Sequence, residues 1–502
     1  MNAGSLVAPD TSSRFAPDSP KMKQPLRVMK FGGTSVGDAS CIARVAQILR
    51  DAAREGPIVA VVSAMGGVTN RLIEAATRSE AGDRDHAEAV FAALRKQHEA
   101  ALATLVHDEG KKRQLAVHLE KLFSEGEELC KGTALLRELT PRTLDAISSL
   151  GERLSAPLVA GALCAQGVRS EAVESTELIV TDSYHGGADP IMDRTRERSE
   201  ARLRPLLDQG ILPVVTGFIG STQDGILTTL GRGRSDYSAT ILGAAMSAGE
   251  VIIWTDVDGV LTADPRLVPD ARTIPVISYR EATELAYFGA KVLHPKTLRA
   301  VSQAGIPVWI RNTFAPERTG TKITPKGLSN GGGVKALTAI SDVALITVGG
   351  PGIVGVPDVV GRTFSTTAQV HASVLMISQS SSQNDICFIV AASDAKRTVA
   401  ALRKEFAQDV AHEKVEHITV DSTIAIVAVV GENMRGTPGV AGRTFNSLGR
   451  ENVNIIAIAQ GSSESNISFV VFQKDMKAAL AATHREFGLS GPVVHDAVTK
   501  GS

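Results

Sequence analysis

Cysteine is scarce in this chain. Cys41, Cys130, Cys164 and Cys387 are the four, and none forms a CxxC pair or has a His/Cys metal spacing. That pattern argues against a disulfide framework and leads one to expect a reducing compartment, the cytoplasm. Aromatic residues make up only 4% of the chain, and 53 Lys+Arg nearly balance 54 Asp+Glu. The net charge of −1 therefore carries no global signature of a nucleic-acid partner. No apolar run approaches the ~18 residues of a membrane span, and the N-terminus lacks a basic-then-apolar signal pattern, so no membrane partner is expected. The phosphate fingerprints are missing too. There is no GxxxxGK[ST], and the glycine turn after the first strand does not fit GxGxxG.

What the 502 residues do contain is 43% apolar side chains against 21% charged, enough for two to four globular domains at roughly 100–200 residues each. Residues 225–266 are the organising stretch. A short strand runs into a glycine-punctuated turn (Gly231, Arg232, Gly233, Arg234), and Ser235 and Asp236 then open a helix with apolar positions at Ile241, Leu242, Ala245 and Met246. Free N–H groups at a helix start and bare glycine backbone favour an anion, to which Arg232 adds a guanidinium fork. The next strand, Val251–Trp254, ends in Thr255 and Asp256, placing polar groups beyond a strand's carboxyl end.

Upstream, Leu26–Phe31 reads as a strand followed by Gly32-Gly33-Thr34-Ser35. Asp38 then caps a helix with Ile42, Val45, Ala46 and Leu49 on one face, and 58–63 is a buried strand. A double glycine alone is equally a plain tight turn. Lys30, at the strand's end, is aimed at the same face and raises its interest. Residues 71–140 read as a helical excursion, a lid or dimer surface. The helix from 143 to 166 carries Gly151-Glu152-Arg153-Leu154-Ser155; a Glu in so apolar a run needs a partner unless the segment is an ordinary surface turn. Residues 211–219 form another strand, 278–289 an amphipathic helix, and 306–310 a strand. The alternation predicts a doubly wound α/β layer over 26–315. His294 beside Pro295 reads as a packing or turn residue rather than a base, and Lys291 by itself could equally be a solvated helix end.

Domain limits follow from composition: a disordered tail (1–24), an α/β domain (25–315), a Gly/Thr/Lys-rich linker (316–336), then two repeats (337–415 and 416–502). Gly361-Arg362-Thr363-Phe364 recurs as Gly442-Arg443-Thr444-Phe445, Gln379 as Gln460, and Phe388 as Phe469, always 81 residues apart. Each copy reads as a ferredoxin-like βαββαβ unit. Gln379 and Gln460 each follow an apolar strand and face a Ser-rich turn, a donor and acceptor set suited to a small zwitterion.

Six motifs in order resemble aspartate kinase. They are Lys30-Phe31-Gly32-Gly33-Thr34-Ser35-Val36, Gly151–Ser155, Leu230-Gly231-Arg232 with Ser235–Ala239, Trp254–Gly259, Asp264-Pro265-Arg266, and Phe288–Pro295. The resemblance runs from residue 26 to the end and is nearest to the kinase half of bifunctional aspartokinase-homoserine dehydrogenase. With no dehydrogenase region before Ser502, it implies a monofunctional kinase. The fold it implies is an amino-acid-kinase sheet sandwiched by helices, followed by paired ACT domains. Two departures stand out. Arg234 replaces a small residue, and Leu261 replaces a tyrosine that contacts adenine in the family.

The activity implied is transfer of the ATP γ-phosphate to the side chain of L-aspartate, the first step of lysine, threonine and methionine biosynthesis. By resemblance Lys30, Phe31, Gly32 and Gly33 hold phosphates and Asp236 positions Lys30. Arg232 grips a substrate carboxylate and Glu152 the ammonium, with Ser63, Thr69 and Ser235 completing the pocket. Thr255, Asp256, Leu261, Arg266, Lys291 and Val292 line the nucleotide side. Mg2+ accompanies ATP without an assigned protein ligand. Gln379 and Gln460 contact an allosteric amino acid, threonine in preference to lysine, and the ACT pair implies a homo-oligomer. The rival readings are a kinase of another amino-acid carboxylate and a non-catalytic ACT sensor.

Overall fold

The computed structural model describes residues 24–231, 235–288, 293–327, 333–350, 357–379, 385–461 and 464–490. The N-terminal part is built from β1 (Arg27–Phe31), α1 (Ala39–Ala53), β2 (Ile58–Val62), α2 (Val68–Glu80), α3 (Arg84–Leu105), α4 (Glu109–Leu136) and α5 (Pro141–Ala165). It continues through β3 (Ser170–Val173), α6 (Met192–Asp208), β4 (Leu212–Thr216), β5 (Ile219–Ser221), β6 (Leu227–Thr229), α7 (Ser235–Ala245) and β7 (Glu250–Thr255). β8 (Val276–Ser278), α8 (Tyr279–Tyr287), α9 (Pro295–Ala304), β9 (Val308–Asn312) and β10 (Thr321–Thr324) complete it.

Eight of these strands form one sheet in the order β3-β4-β2-β1-β7-β9-β10-β8, parallel except for the antiparallel pairing of β10 with β9. Strand parity sorts the core into two layers. Val28, Val61, Val251 and Ile253 pack towards α6, α7 and α9, whereas Met29, Ala60, Val62 and Ile252 pack towards α1, α2 and α5. The chain leaves β1 for β2 on one side and later returns to pair β7 on the other. This reversal of strand order opens a crevice at the carboxyl ends of β1, β2 and β7. Asp38 caps α1 by accepting from the Cys41 amide at 2.8 Å, as its sequence predicts. The excursion over 71–140 is helical, but its inner face is core. Phe91, Leu94, Leu122 and Phe123 join Leu150 and Leu154 of α5 in one apolar cluster. Gly126 permits that approach, since a Cβ there would stand 2.6 Å from Leu150 and Phe91.

The expected linker, 316–336, needs correction. β10 lies inside it and sits between β9 and β8, with Thr321 and Ile323 buried and Thr321 Oγ1 donating to the Ile274 carbonyl at 2.7 Å. Its composition resembles a linker because four residues are too few to show a period.

The C-terminal part comprises β11 (Ala336–Ile340), β12 (Val343–Gly349), α10 (Pro357–Gln369), β13 (Val374–Gln379), β14 (Asp385–Ala391), α11 (Ala392–Glu405), α12 (Ala407–Ala411) and β15 (His417–Asp421). Then follow β16 (Ile424–Val430), α13 (Val440–Arg450), β17 (Ala457–Gln460), β18 (Asn466–Phe472) and α14 (Met476–Glu486). The duplication is visible in contacts. Arg362 stands 4.5 Å over Phe406 and Arg443 4.5 Å over Phe487. Phe364 meets Phe388 edge-on, as Phe445 meets Phe469.

The repeat boundaries, however, are interleaved. The sheets run β13-β14-β12-β15 and β17-β18-β16-β11, so each has the same four positions, but the second takes its outer strand from before the first unit begins. Division into 337–415 and 416–502 therefore misassigns β11 and β15. Both pair by backbone hydrogen bonds with the first strand of a unit, and nothing in side-chain pattern says which one.

Candidate active site

Lys30 shares the parity of Val28, so its side chain leaves the sheet on the α7 face. There Nζ pairs with Asp236 Oδ1 at 2.6 Å, from the first turn of α7, with both side chains largely shielded. Phe31 has the opposite parity and is fully buried, its ring stacked on Trp254 at 6.0 Å. Its side chain is thus core, and only its backbone borders the crevice; the expectation that it lines an ATP site is corrected to that extent.

Gly32 and Gly33 follow. A Cβ on Gly32 would stand 3.4 Å from Lys30 Nζ and one on Gly33 3.3 Å from the Ala64 carbonyl, so bare backbone keeps this turn open. At the end of β2, the Ser63 amide donates to the Phe31 carbonyl at 3.1 Å, and the Ser63 carbonyl accepts from Ser155 Oγ at 2.6 Å. Gly151 brings α5 in close, since its Cβ would fall 2.7 Å from that of Ala64. This places Glu152 against the β2–α2 turn rather than on the surface.

Glu152 is 3% exposed. Its Oε1 accepts from the Ala64 amide at 3.1 Å, and its Oε2 is buried with no hydrogen-bond partner among the described residues. Burial pushes its carboxyl up to about 8, against the opposing pull of the Ala64 amide and of the Lys30 charge. An orphaned buried acceptor is costly, by about 1–3 kcal/mol, and is the kind of group a ligand cation satisfies.

Around it lies a cavity of about 240 Å³ lined by Gly33, Ser63, Thr69, Glu152, Phe218 and Ser235, among others. Five residues expected from sequence to form a site are thus together, with the Lys30–Asp236 pair beside Gly32. Ala64, Met65, Gly67, Asn70 and Phe218 also line it and were not foreseen. Phe218 has a left-handed φ of 70°, rare for a bulky residue, and follows Gly217, whose Cβ would collide with Ser235 at 2.8 Å. The Gly217-Phe218 pair after a buried strand was the available signal.

The nucleotide-side candidates stand differently. Thr255 ends β7 and Asp256 follows it, next to the Trp254 carbonyl that accepts from the Gly32 amide at 3.2 Å, and Thr255 Oγ1 donates to Asp256 at 3.2 Å. Leu261 bridges to Thr273, and Arg266 is exposed and paired with Asp264 at 2.6 Å; neither borders the cavity. Arg232, Arg234, Lys291 and Val292 lie outside the described residues. Gln379 and Gln460 end β13 and β17, neighbouring strands that meet where Ser378 Oγ donates to the Ile458 carbonyl at 3.3 Å. Among the described residues no three His, Cys, Asp or Glu side chains gather as a metal site, and no helix is long and apolar enough to cross a membrane.

Known proteins resemble this chain in sequence and fold. The sequence model of the amino acid kinase family matches residues 25–312, and that of an ACT domain matches 346–406 and 427–487. The bifunctional aspartokinase/homoserine dehydrogenase of Daucus carota is 36% identical over 92% of this chain and 51% of its own length. Aspartokinase 1 of Arabidopsis thaliana is 32% identical over 92% of this chain and 80% of its own. The chain spans about half the length of the bifunctional relatives it matches. Aspartokinase III of E. coli, solved with aspartate and ADP in an R-state, is 30% identical and superposes with a TM-score of 0.77 over 92% of this chain and 100% of that one. It has also been solved with lysine and aspartate in a T-state. With a kinase-type sheet, a repeated ACT unit and these likenesses in agreement, the chain belongs to the amino acid kinase family, in its aspartokinase branch.

Proposed function

We propose that this protein transfers the γ-phosphoryl group of ATP to the side-chain carboxylate of L-aspartate, giving 4-phospho-L-aspartate and ADP, at the head of lysine, threonine and methionine biosynthesis. The observation that carries the reading is the sealed, half-partnered Glu152 carboxylate on the same cavity as Ser63, Thr69 and Ser235, with Lys30–Asp236 alongside. A free carboxylate has a pKa near ~4, so the nucleophile is already ionised at neutral pH and no general base is required. The task left to the protein is to hold two anions together and stabilise charge on the transferred group. Lys30 and the glycine backbone face the phosphates and Asp236 orients Lys30. Glu152 takes the ammonium, Arg232 a carboxylate, and Ser63, Thr69 and Ser235 complete the acceptor pocket. Thr255, Asp256, Leu261, Arg266, Lys291 and Val292 serve the nucleotide. Magnesium bound with ATP would neutralise part of the phosphate charge, and no residue of this chain is assigned as its ligand.

The deciding experiment is ADP release with L-aspartate or L-glutamate as acceptor. Aspartate-dependent turnover supports the reading, equal turnover with glutamate converts it to a broader carboxylate kinase, and none with either overturns it.

For regulation, we favour threonine as the effector near Gln379 and Gln460, whose amides offer donor and acceptor together. Lysine, the ligand of the E. coli T-state structure, is the alternative, and an inhibition titration with each decides. Exposed Ile377 and Ile458 on the same strands suit pairing with another subunit, which light scattering would test.

A further inference from the structure

Asp145 has no role in the chemistry above, yet its side chain is 3% exposed and densely bonded. Oδ1 accepts from Thr229 Oγ1 at 2.5 Å and from the Gly186 amide at 3.1 Å. Oδ2 accepts from His185 Nδ1 at 2.8 Å, the Gly186 amide at 3.0 Å and the Thr229 amide at 3.3 Å. A buried carboxylate so fully paired is fixed in place. It lies on α5 seven residues before Glu152, so both carboxylates project from one helix face about 10 Å apart along the axis.

Thr229 passes the constraint on. It ends β6, and the next amide, Leu230, donates to the Phe218 carbonyl at 2.8 Å. Phe218 lines the acceptor cavity, and its own amide donates to Ser238 Oγ at 2.8 Å on α7, the helix that Ser235 opens. One rigid helix therefore holds the cavity at two points: through Glu152 and Ala64 on the β2 side, and through Asp145 and Thr229 on the opposite wall.

We propose that Asp145 is a positioning residue for the acceptor. By clamping Thr229 it sets the distance between Glu152 and the Phe218–Ser235 wall, and with it the length of amino dicarboxylate the cavity accepts. This inference rests on the reading of the cavity as the aspartate site.

The test is steady-state kinetics with ATP and either aspartate or glutamate. Asp145→Asn keeps the shape but removes the charge and turns one oxygen into a donor facing N–H groups. Its aspartate KM should rise tenfold or more with the ATP KM within twofold, and the preference for aspartate over glutamate should narrow. Thr229→Val should move the aspartate KM the same way by less, and Thr229→Ser should restore parental values. Equal shifts in both KM values, or none, would overturn the proposal. So would a His185→Ala variant that reproduces Asp145→Asn while Thr229→Val stays parental, because Asp145 would then only anchor the loop around 185. If Asp145→Asn does not fold, the Thr229 pair decides. A parent that fails to phosphorylate aspartate at all would instead remove the underlying reading.

Discussion

The two sides of the crevice are built on opposite principles. On the proposed acceptor side α5 closes over the ends of β1 and β2, and its charged groups are sealed: Lys30 pairs with Asp236, and one Glu152 oxygen has no hydrogen-bond partner among the described residues. The segment after β7, proposed to serve the nucleotide, does not line the cavity and belongs as much to the C-terminal half as to the kinase sheet. Ala263 and Val268 sit in the core of the second ACT unit. The Leu337 amide donates to the Thr262 carbonyl at 2.8 Å, and Thr262 Oγ1 meets His484 Nε2 at 2.9 Å. α8 adds to this docking: Glu281 accepts from the Glu432 amide at 2.9 Å, and Thr338 Oγ1 donates to the Phe288 carbonyl at 2.8 Å. On the proposed reading, acceptor recognition is thus internal to one domain, whereas the segment after β7 is the part of that domain bonded to the C-terminal half.

Lys30→Ala is the severest test of that contrast. It should lower kcat by about a thousandfold, the scale of losing one preorganised charge donor, with the fold retained by circular dichroism. Parental turnover would remove Lys30 from the mechanism. Glu152→Gln should raise the aspartate KM by about 10- to 100-fold, as expected for losing a charged hydrogen bond, and leave the ATP KM alone. A change confined to ATP would break the division between the two sides.

Burial pushes the Glu152 carboxyl up to about 8, so on the proposed reading it gives up a proton near neutral pH when it receives the ammonium. Aspartate binding near pH 7 should then release close to one proton, measurable by calorimetry in buffers of different ionisation enthalpy, and Glu152→Gln should abolish the release. The same raised value means that its contribution to stability is present below the unfolded carboxyl range and lost as pH rises through about 8. The melting temperature of the ligand-free parent relative to Glu152→Gln should accordingly fall between about pH 5 and about pH 9.

Thr262→Val removes the hydroxyl's contacts with His484 Nε2 and the Arg272 amide and should shift the ATP KM by about fivefold or more, at ~1 kcal/mol per ordinary hydrogen bond, without moving that for aspartate. Arg266→Ala should matter least, under about threefold in the ATP KM, since this exposed side chain is already paired with Asp264.

Local pattern was enough for much of this molecule. Turn glycines beside Lys30, the cap at Asp38 and the long α5 helix are encoded by neighbours in the chain, because parity and capping are local properties, and the 81-residue repeat shows when the chain is compared with itself. Which partners meet was not written locally. Glu152 as a sealed carboxylate rather than a surface turn depends on Gly151 letting α5 touch Ala64, a contact across 88 residues of chain for Glu152 itself. The four-residue β10 hides in linker-like composition, and β11 pairs with β16 across the whole first unit. No local pattern marks Asp145, because its partners Thr229 and Gly186 lie 84 and 41 residues away. Backbone pairing and close approach are decided by the packed whole, where desolvation gives a carboxylate its meaning only once the walls around it have closed.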